Sequence, residues 1–122
     1  MNTPFSPVSI PAELTITTTD HESTRVLTPV GDLDAATAHV FAEALADAAR
    51  LGGPVVADLS RVEFLGCAGI RALFAAHDRA VSFTVVCDGL HGVRRCLDVT
   101  GASDTLAVHT TLTEALAAAV AS

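Results

Sequence analysis

Hydrophobic positions along this chain change their period several times. Two β-branched runs, ELTITTT (13–19) and TRVLTPV (24–30), alternate with polar residues on either side of the short polar stretch DHES, the pattern of a hairpin. Pro29 cannot donate to a ladder, so it places this pair near a sheet edge. Helical spacing takes over after Asp34, which can cap a helix carrying Ala38, Phe41, Leu45 and Ala48 on one side; Gly52, Gly53 and Pro54 stop it. PVVADLS (54–60) is apolar enough to be a central parallel strand covered on both faces.

The alternation repeats toward the C-terminus. After VEFLGC, the residues Ile70, Leu73, Phe74 and His77 line one side of a helix running to about Ala80, and SFTVVC (82–87) is the next buried strand. GLHGVRRCLDVTG predicts a shorter helix with Leu90, Val93, Cys96 and Leu97 inward, Arg94 and Arg95 outward, and Gly101 at its close. TLAVH (105–109) is the last strand, followed by a helix that opens with a capping box, Thr111 to Glu114, and continues almost entirely in Ala and Leu. The order ββαβαβαβα predicts an α/β fold: one domain over 1–122 with a flexible arm over 1–12, about five strands in a mixed, mostly parallel sheet, and about four helices laid on it by right-handed crossovers.

Parallel strands share a carboxyl edge. GDLD (31–34) and RVEFLGC (61–67) therefore emerge on the same side, which marks that side as the working face. The second segment runs straight into a helix, whose unpaired N–H groups and positive dipole end favour an anion or a thiolate. Cys67 sits at that end.

Composition then removes several function classes. With 122 residues, half of them hydrophobic, the chain can bury one core of ordinary size. Seven basic against fourteen acidic side chains give a net charge of −7, which opposes nucleic acid and anionic lipid as partners. No apolar run reaches the length of a bilayer span, and MNTPFSPVSIPAEL lacks the basic flank and apolar stretch of a signal peptide, so a cytoplasmic protein is expected. Cys67, Cys87 and Cys96 are odd in number and lack zinc-site spacing, and His21, His39, His77, His91 and His109 show no ligand spacing, so neither a metal nor any other cofactor is implied. An enzyme is not expected either. His77 lies about 15 Å from Cys67 along one helix, too far to activate it, while His91 begins a later helix.

Several stretches together resemble the STAS domain family, and within it the small stand-alone anti-sigma factor antagonists (anti-anti-sigma factors). GDLDAATA is similar to the family's Gly-Glu-Leu-Asp turn, VVADLSRVEFLGCAGIRAL to its Asp-Leu-Ser stretch followed by Asp-Ser-Ser-Gly, and VRRCLDVTGASDTLAVHTTLTEAL to its closing segment. The resemblance runs from about Leu14 to Ala119. It implies a STAS-like fold and a binding protein that engages an anti-sigma factor of the serine-kinase type and so frees a sigma factor for transcription, acting as a monomer or weak dimer. It also implies a contact surface made of Asp32, Asp34, Glu63, Gly66, Cys67, Ala68, Gly69 and Arg71. In such proteins phosphorylation of the first serine of Asp-Ser-Ser-Gly abolishes binding, because it adds about two negative charges to the contact surface.

This sequence departs from the pattern at that point. Aligned on Phe64-Leu65 and Gly69, Gly66 replaces the aspartate, Cys67 the phosphorylated serine and Ala68 the second serine, leaving no hydroxyl between Arg61 and Gly69. Two functional expectations follow. Either the protein binds its regulator without a phosphoswitch at residue 67, or Cys67 is a redox switch, with Cys87 as the expected disulfide partner and Cys96 facing the core. A STAS subunit of a larger signalling or transport assembly is a further alternative. Blander roles compete: free cysteines in cytosolic proteins are commonly small buried hydrophobes, Gly66 and Gly69 would serve a tight turn, and Asp32 and Asp34 would be a turn residue and a helix cap.

Overall fold

The computed structural model describes residues 14–89 and 92–121; the arm expected over 1–12, and Leu90 and His91, lie outside them. Six strands and five helices follow in the order β1 (Leu14–His21), β2 (Thr24–Leu33), α1 (Ala38–Arg50), β3 (Val55–Asp58), β4 (Val62–Leu65), α2 (Cys67–Arg79), β5 (Phe83–Val86), α3 (Val93–Val99), α4 (Ala102–Thr105), β6 (Ala107–His109) and α5 (Leu112–Ala121). The sheet runs β1-β2-β3-β5-β6, with β4 added on β2. β1 pairs antiparallel with β2, and every other pairing is parallel. The α/β class and mixed sheet are as expected, with one strand and one helical turn more.

Both additions have local causes. The stretch expected as a loop over 61–67 contains β4, because Val62 and Leu65 are drawn into the core beside β2. Gly101, at φ +80°, ends α3 and lets the chain make the single turn of α4, so the last strand begins at Ala107 rather than residue 105.

The pair that carries Pro29 lies at the sheet edge, as expected, with β1 outermost. Pro29 is paired with Ile16 of β1, but β2 is an interior strand. On its other side β2 holds β3 through Arg25, Val26 and Leu27 and β4 through Gly31, Asp32 and Leu33. Pro29 falls in the gap between these two partners, where a missing N–H interrupts neither ladder.

The sheet is covered on both faces. Leu27, Val55, Ala57 and Val85 join Phe41 and Leu45 of α1 and Leu73 of α2 in the main core, while Val26, Val56 and Val86 face Ala115 and Ala119 of α5. Alternate residues of β3 and β5 thus point into opposite apolar layers, which explains their continuous hydrophobic runs. Phe41 is wholly enclosed, and truncating such a side chain costs about 3–5 kcal/mol. In α5, Thr111 accepts the Glu114 N–H at 3.1 Å, but Glu114 accepts from the Thr110 hydroxyl, so only half of the expected capping box forms. Among the described residues no helix is long and apolar enough to cross a membrane.

Candidate functional site

The end of β2 and the whole of β4 form a small parallel ladder at the carboxyl edge of the sheet. Gly31 pairs with Val62, Asp32 with Phe64 and Leu33 with Leu65, with a register shift between Gly31 and Asp32. Glu63 is the extra residue of that bulge. A regular strand would alternate, but here Val62 and Leu65 are both buried while Glu63 and Phe64 are both exposed. Phe64 is 53% exposed, an aromatic ring held outward by the backbone rather than left on a free loop. The Gly31 N–H donates to Arg61 O at 3.3 Å and the Gly66 N–H to Leu33 O at 2.9 Å, so residues 31–34 and 61–67 are stitched into one edge.

Asp34 shapes the first of these segments. Its Oδ1 accepts the N–H groups of Ala36 at 2.9 Å and Thr37 at 3.1 Å, and the buried Thr37 hydroxyl donates to the Asp32 carbonyl at 2.6 Å. Asp34 therefore caps the turn that leads into α1, which starts at Ala38. Sequence inspection missed Thr37, whose hydroxyl ties the chain on both sides of Leu33. Asp32 is half-buried and shares a register position with exposed Phe64.

The second segment opens α2. Gly66 is its N-cap, in extended conformation (φ −98°, ψ −178°) and without a side-chain cap bond. Cys67 is the first helical residue and is exposed, Ala68 is half-buried, Gly69 is buried and Arg71 is exposed. The two glycines answer to different needs. A Cβ at Gly69 would lie 2.7 Å from Leu65 Cδ1 and 3.0 Å from Leu33 Cβ, so glycine there permits close approach of α2 to β2 and β4. At Gly66 the backbone angles suit any residue, and a Cβ would come closest to the Phe64 ring edge, at 3.2 Å.

The three thiols occupy distinct surroundings. Cys87 is 1% exposed within the main core and its N–H donates to His109 O at 2.8 Å; burial, first of all, raises its pKa. Cys96 is half-buried on α3, and its thiol donates to the Leu65 carbonyl at 3.2 Å, just before the N-cap of α2. Burial and then the charge of nearby Cys67 raise the Cys96 pKa. Cys87, the expected partner of Cys67, is sealed in the main core, whereas Cys96 stands at the margin of α3 where that helix lies against β4, near enough to Cys67 to feel its charge. His77, expected on the apolar side of α2, is exposed, whereas Ala72 and Ala76 complete the buried stripe. Among the described residues no group of three or more His, Cys, Asp or Glu side chains could hold a metal ion.

The family pattern of the STAS domain matches residues 15–115, a span that includes both stitched segments and α2. The chain belongs to the STAS domain family. This STAS domain is similar to the anti-sigma-F factor antagonist RsfB of Mycobacterium tuberculosis, 35% identical over 113 residues that cover 89% of the chain and 92% of RsfB. The crystal structure of an anti-sigma factor antagonist from Mycobacterium paratuberculosis superposes with a TM-score of 0.85 at 32% identity, covering 93% of this chain and 99% of that one. The anti-sigma factor antagonist SpoIIAA, in its unphosphorylated form, shares the fold at a TM-score of 0.67 and 16% identity, over 84% of this STAS domain and 93% of SpoIIAA.

Proposed function

We propose that this STAS domain is an anti-sigma factor antagonist that docks on an anti-sigma factor of the serine-kinase type through the carboxyl edge of its sheet, without a phosphoswitch at residue 67. The observation that carries this is the exposed Cys67 at the start of α2, on the same edge as outward-held Phe64 and beside the 31–34 turn. Relatives similar over nearly the whole chain are anti-sigma factor antagonists. Asp32, Asp34, Glu63, Arg71 and residues 66–69 make up the contact surface, with Phe64 added as its apolar centre; a buried aromatic anchor commonly dominates such contacts.

No hydroxyl lies between Arg61 and Gly69 to accept a phosphoryl group. The nearest earlier one, on Ser60, donates to Asp58 Oδ1 at 2.7 Å, and a phosphate there would face that carboxylate. The protein is thus competent to bind whenever its partner is present.

The test is affinity for a purified anti-sigma factor of the serine-kinase type, measured with ATP under reducing conditions. Wild type binds and acquires no phosphate on residues 61–69. Cys67→Glu, which places a charge in the contact, weakens binding by about 1–3 kcal/mol through desolvation and lost packing. Unchanged binding by Cys67→Glu would remove this edge as the interface.

A further inference from the structure

Cys67 does not fit the ordinary role of a free cysteine, a small buried hydrophobe, which Cys87 fills. It stands exposed on the surface assigned above to docking, and a second thiol from another element reaches the same turn of the backbone. Cys96 of α3 points at the junction of β4 and α2, its Sγ 3.2 Å from the carbonyl oxygen of Leu65, two residues before Cys67. Two thiols from separate helices therefore converge on one backbone turn, one open to solvent and one half-covered.

We propose that Cys67 and Cys96 are a peroxide-responsive dithiol, in which Cys67 is the oxidised thiol and Cys96 resolves it to a disulfide that withdraws residue 67 from the docking surface. The Cys67 thiolate attacks one peroxide oxygen; the O–O bond breaks, an S–O bond forms, and hydroxide leaves to take up a proton as water. Cys96 sulfur then attacks the Cys67 sulfenic sulfur. The S–S bond forms, the S–O bond breaks, and the hydroxyl leaves with the Cys96 proton as a second water. Two thiols lose two electrons in all, and peroxide gains them.

The environments assign the two roles. Cys67 is open to a small oxidant. Burial, first of all, raises the pKa of Cys96, and its thiol donates to Leu65 O, so it is the half-covered member of the pair. The disulfide would replace that hydrogen bond and tie the first turn of α2 to α3, altering the edge where Gly66 and Phe64 present the contact. This last consequence rests on the docking role proposed above; the thiol chemistry does not.

The experiment treats the full chain with hydrogen peroxide, blocks remaining thiols by alkylation under denaturing conditions, and maps the digested peptides. Two of the three thiols should disappear, Cys87 should remain alkylatable, and a Cys67–Cys96 peptide should appear and be reversed by dithiothreitol. Cys67→Ser should lose no thiol at the same dose. Cys96→Ser should give a dimedone-reactive Cys67 and no internal disulfide; Cys96→Ala serves equally if the serine is poorly folded. Three surviving thiols in wild type, a peptide joined through Cys87, or an intermolecular Cys67 dimer as the sole product would each overturn the proposal. Partner affinity should fall about tenfold or more on oxidation of wild type, as loss of a central contact does, and stay level in Cys67→Ser. Failure of the reduced protein to bind would refute the docking role, whereas the peptide map decides the dithiol independently.

Discussion

Replacing Gly69 by alanine tests how tightly α2 is pressed on the sheet. The new methyl carbon would lie 2.7 Å from Leu65 Cδ1, 3.0 Å from Leu33 Cβ and 3.2 Å from Leu33 O, all inside ordinary contact. Leu65 offers a side-chain end that can turn, but it is only 4% exposed and already packed. Leu33 offers no such relief. It is fully enclosed, and its carbonyl accepts the Gly66 N–H at 2.9 Å, so the helix cannot retreat without stretching that bond. Overfilling a site of this kind costs about 1–3 kcal/mol, while alanine in a helix is up to about 1 kcal/mol better than glycine. The balance is a loss of about 1 kcal/mol, with about 2 as the upper end, or a fall in Tm of several degrees. Urea unfolding of both proteins should show a lower midpoint with an unchanged slope. A Gly69→Ala protein more stable than wild type would mean that helix propensity wins and that α2 is not held against β2 and β4 at these distances.

Two further outcomes follow from the edge and its neighbourhood. Asp34→Ala removes the acceptor for the Ala36 and Thr37 N–H groups and should cost about 1 kcal/mol in urea unfolding, with Asp34→Asn recovering most of it. At Asp98, the Ser103 hydroxyl and then the Arg94 guanidinium lower the carboxyl pKa, so its contribution to stability is present above the unfolded value and is lost as pH falls through the lower folded value. The stability difference between wild type and Asp98→Asn should therefore shrink as thermal melts are carried below about pH 4, and a difference that grows there would contradict the sign.

The strands and helices were legible where a segment obeys one period. β3 and β5 read as continuous apolar runs because they are covered on both faces, and α1 read from Ala38, Phe41, Leu45 and Ala48, the four residues the structure buries. β4 was not legible for the opposite reason. Its bulge at Glu63 turns two successive residues outward, so four residues show neither a period of two nor a continuous apolar run. Pro29 correctly marked its pair as lying at the edge, but its own strand is the inner one: a single strand with two successive partners on one side has an interior position where a missing donor is harmless, and nothing in the local sequence announces the change of partner.

The thiols show the same limit at the level of the site. Strand order alone places Cys87 on the carboxyl edge with Cys67, since both follow parallel strands, and that much is topologically sound. Which cysteines are open at that edge depends on side-chain direction, and direction depends on how far a strand end and a helix are rotated about their own axes. The side chain of Cys87, whose N–H is held by His109 O at the end of β5, is buried in the main core. Cys96 lies one position before Leu97, which is fully buried on α3, and so stands at the border of the buried stripe, where the helix meets β4. A residue at such a border is half in the core by periodicity and half on the surface by contact. The assignment of Cys96 to the core followed from its spacing with Val93 and Leu97, yet the carbonyl of Leu65 belongs to a strand that the spacing never revealed. Locating the second thiol thus required β4 first, and the bulge that hides β4 from the sequence is the same feature that holds Phe64 outward beside Cys67.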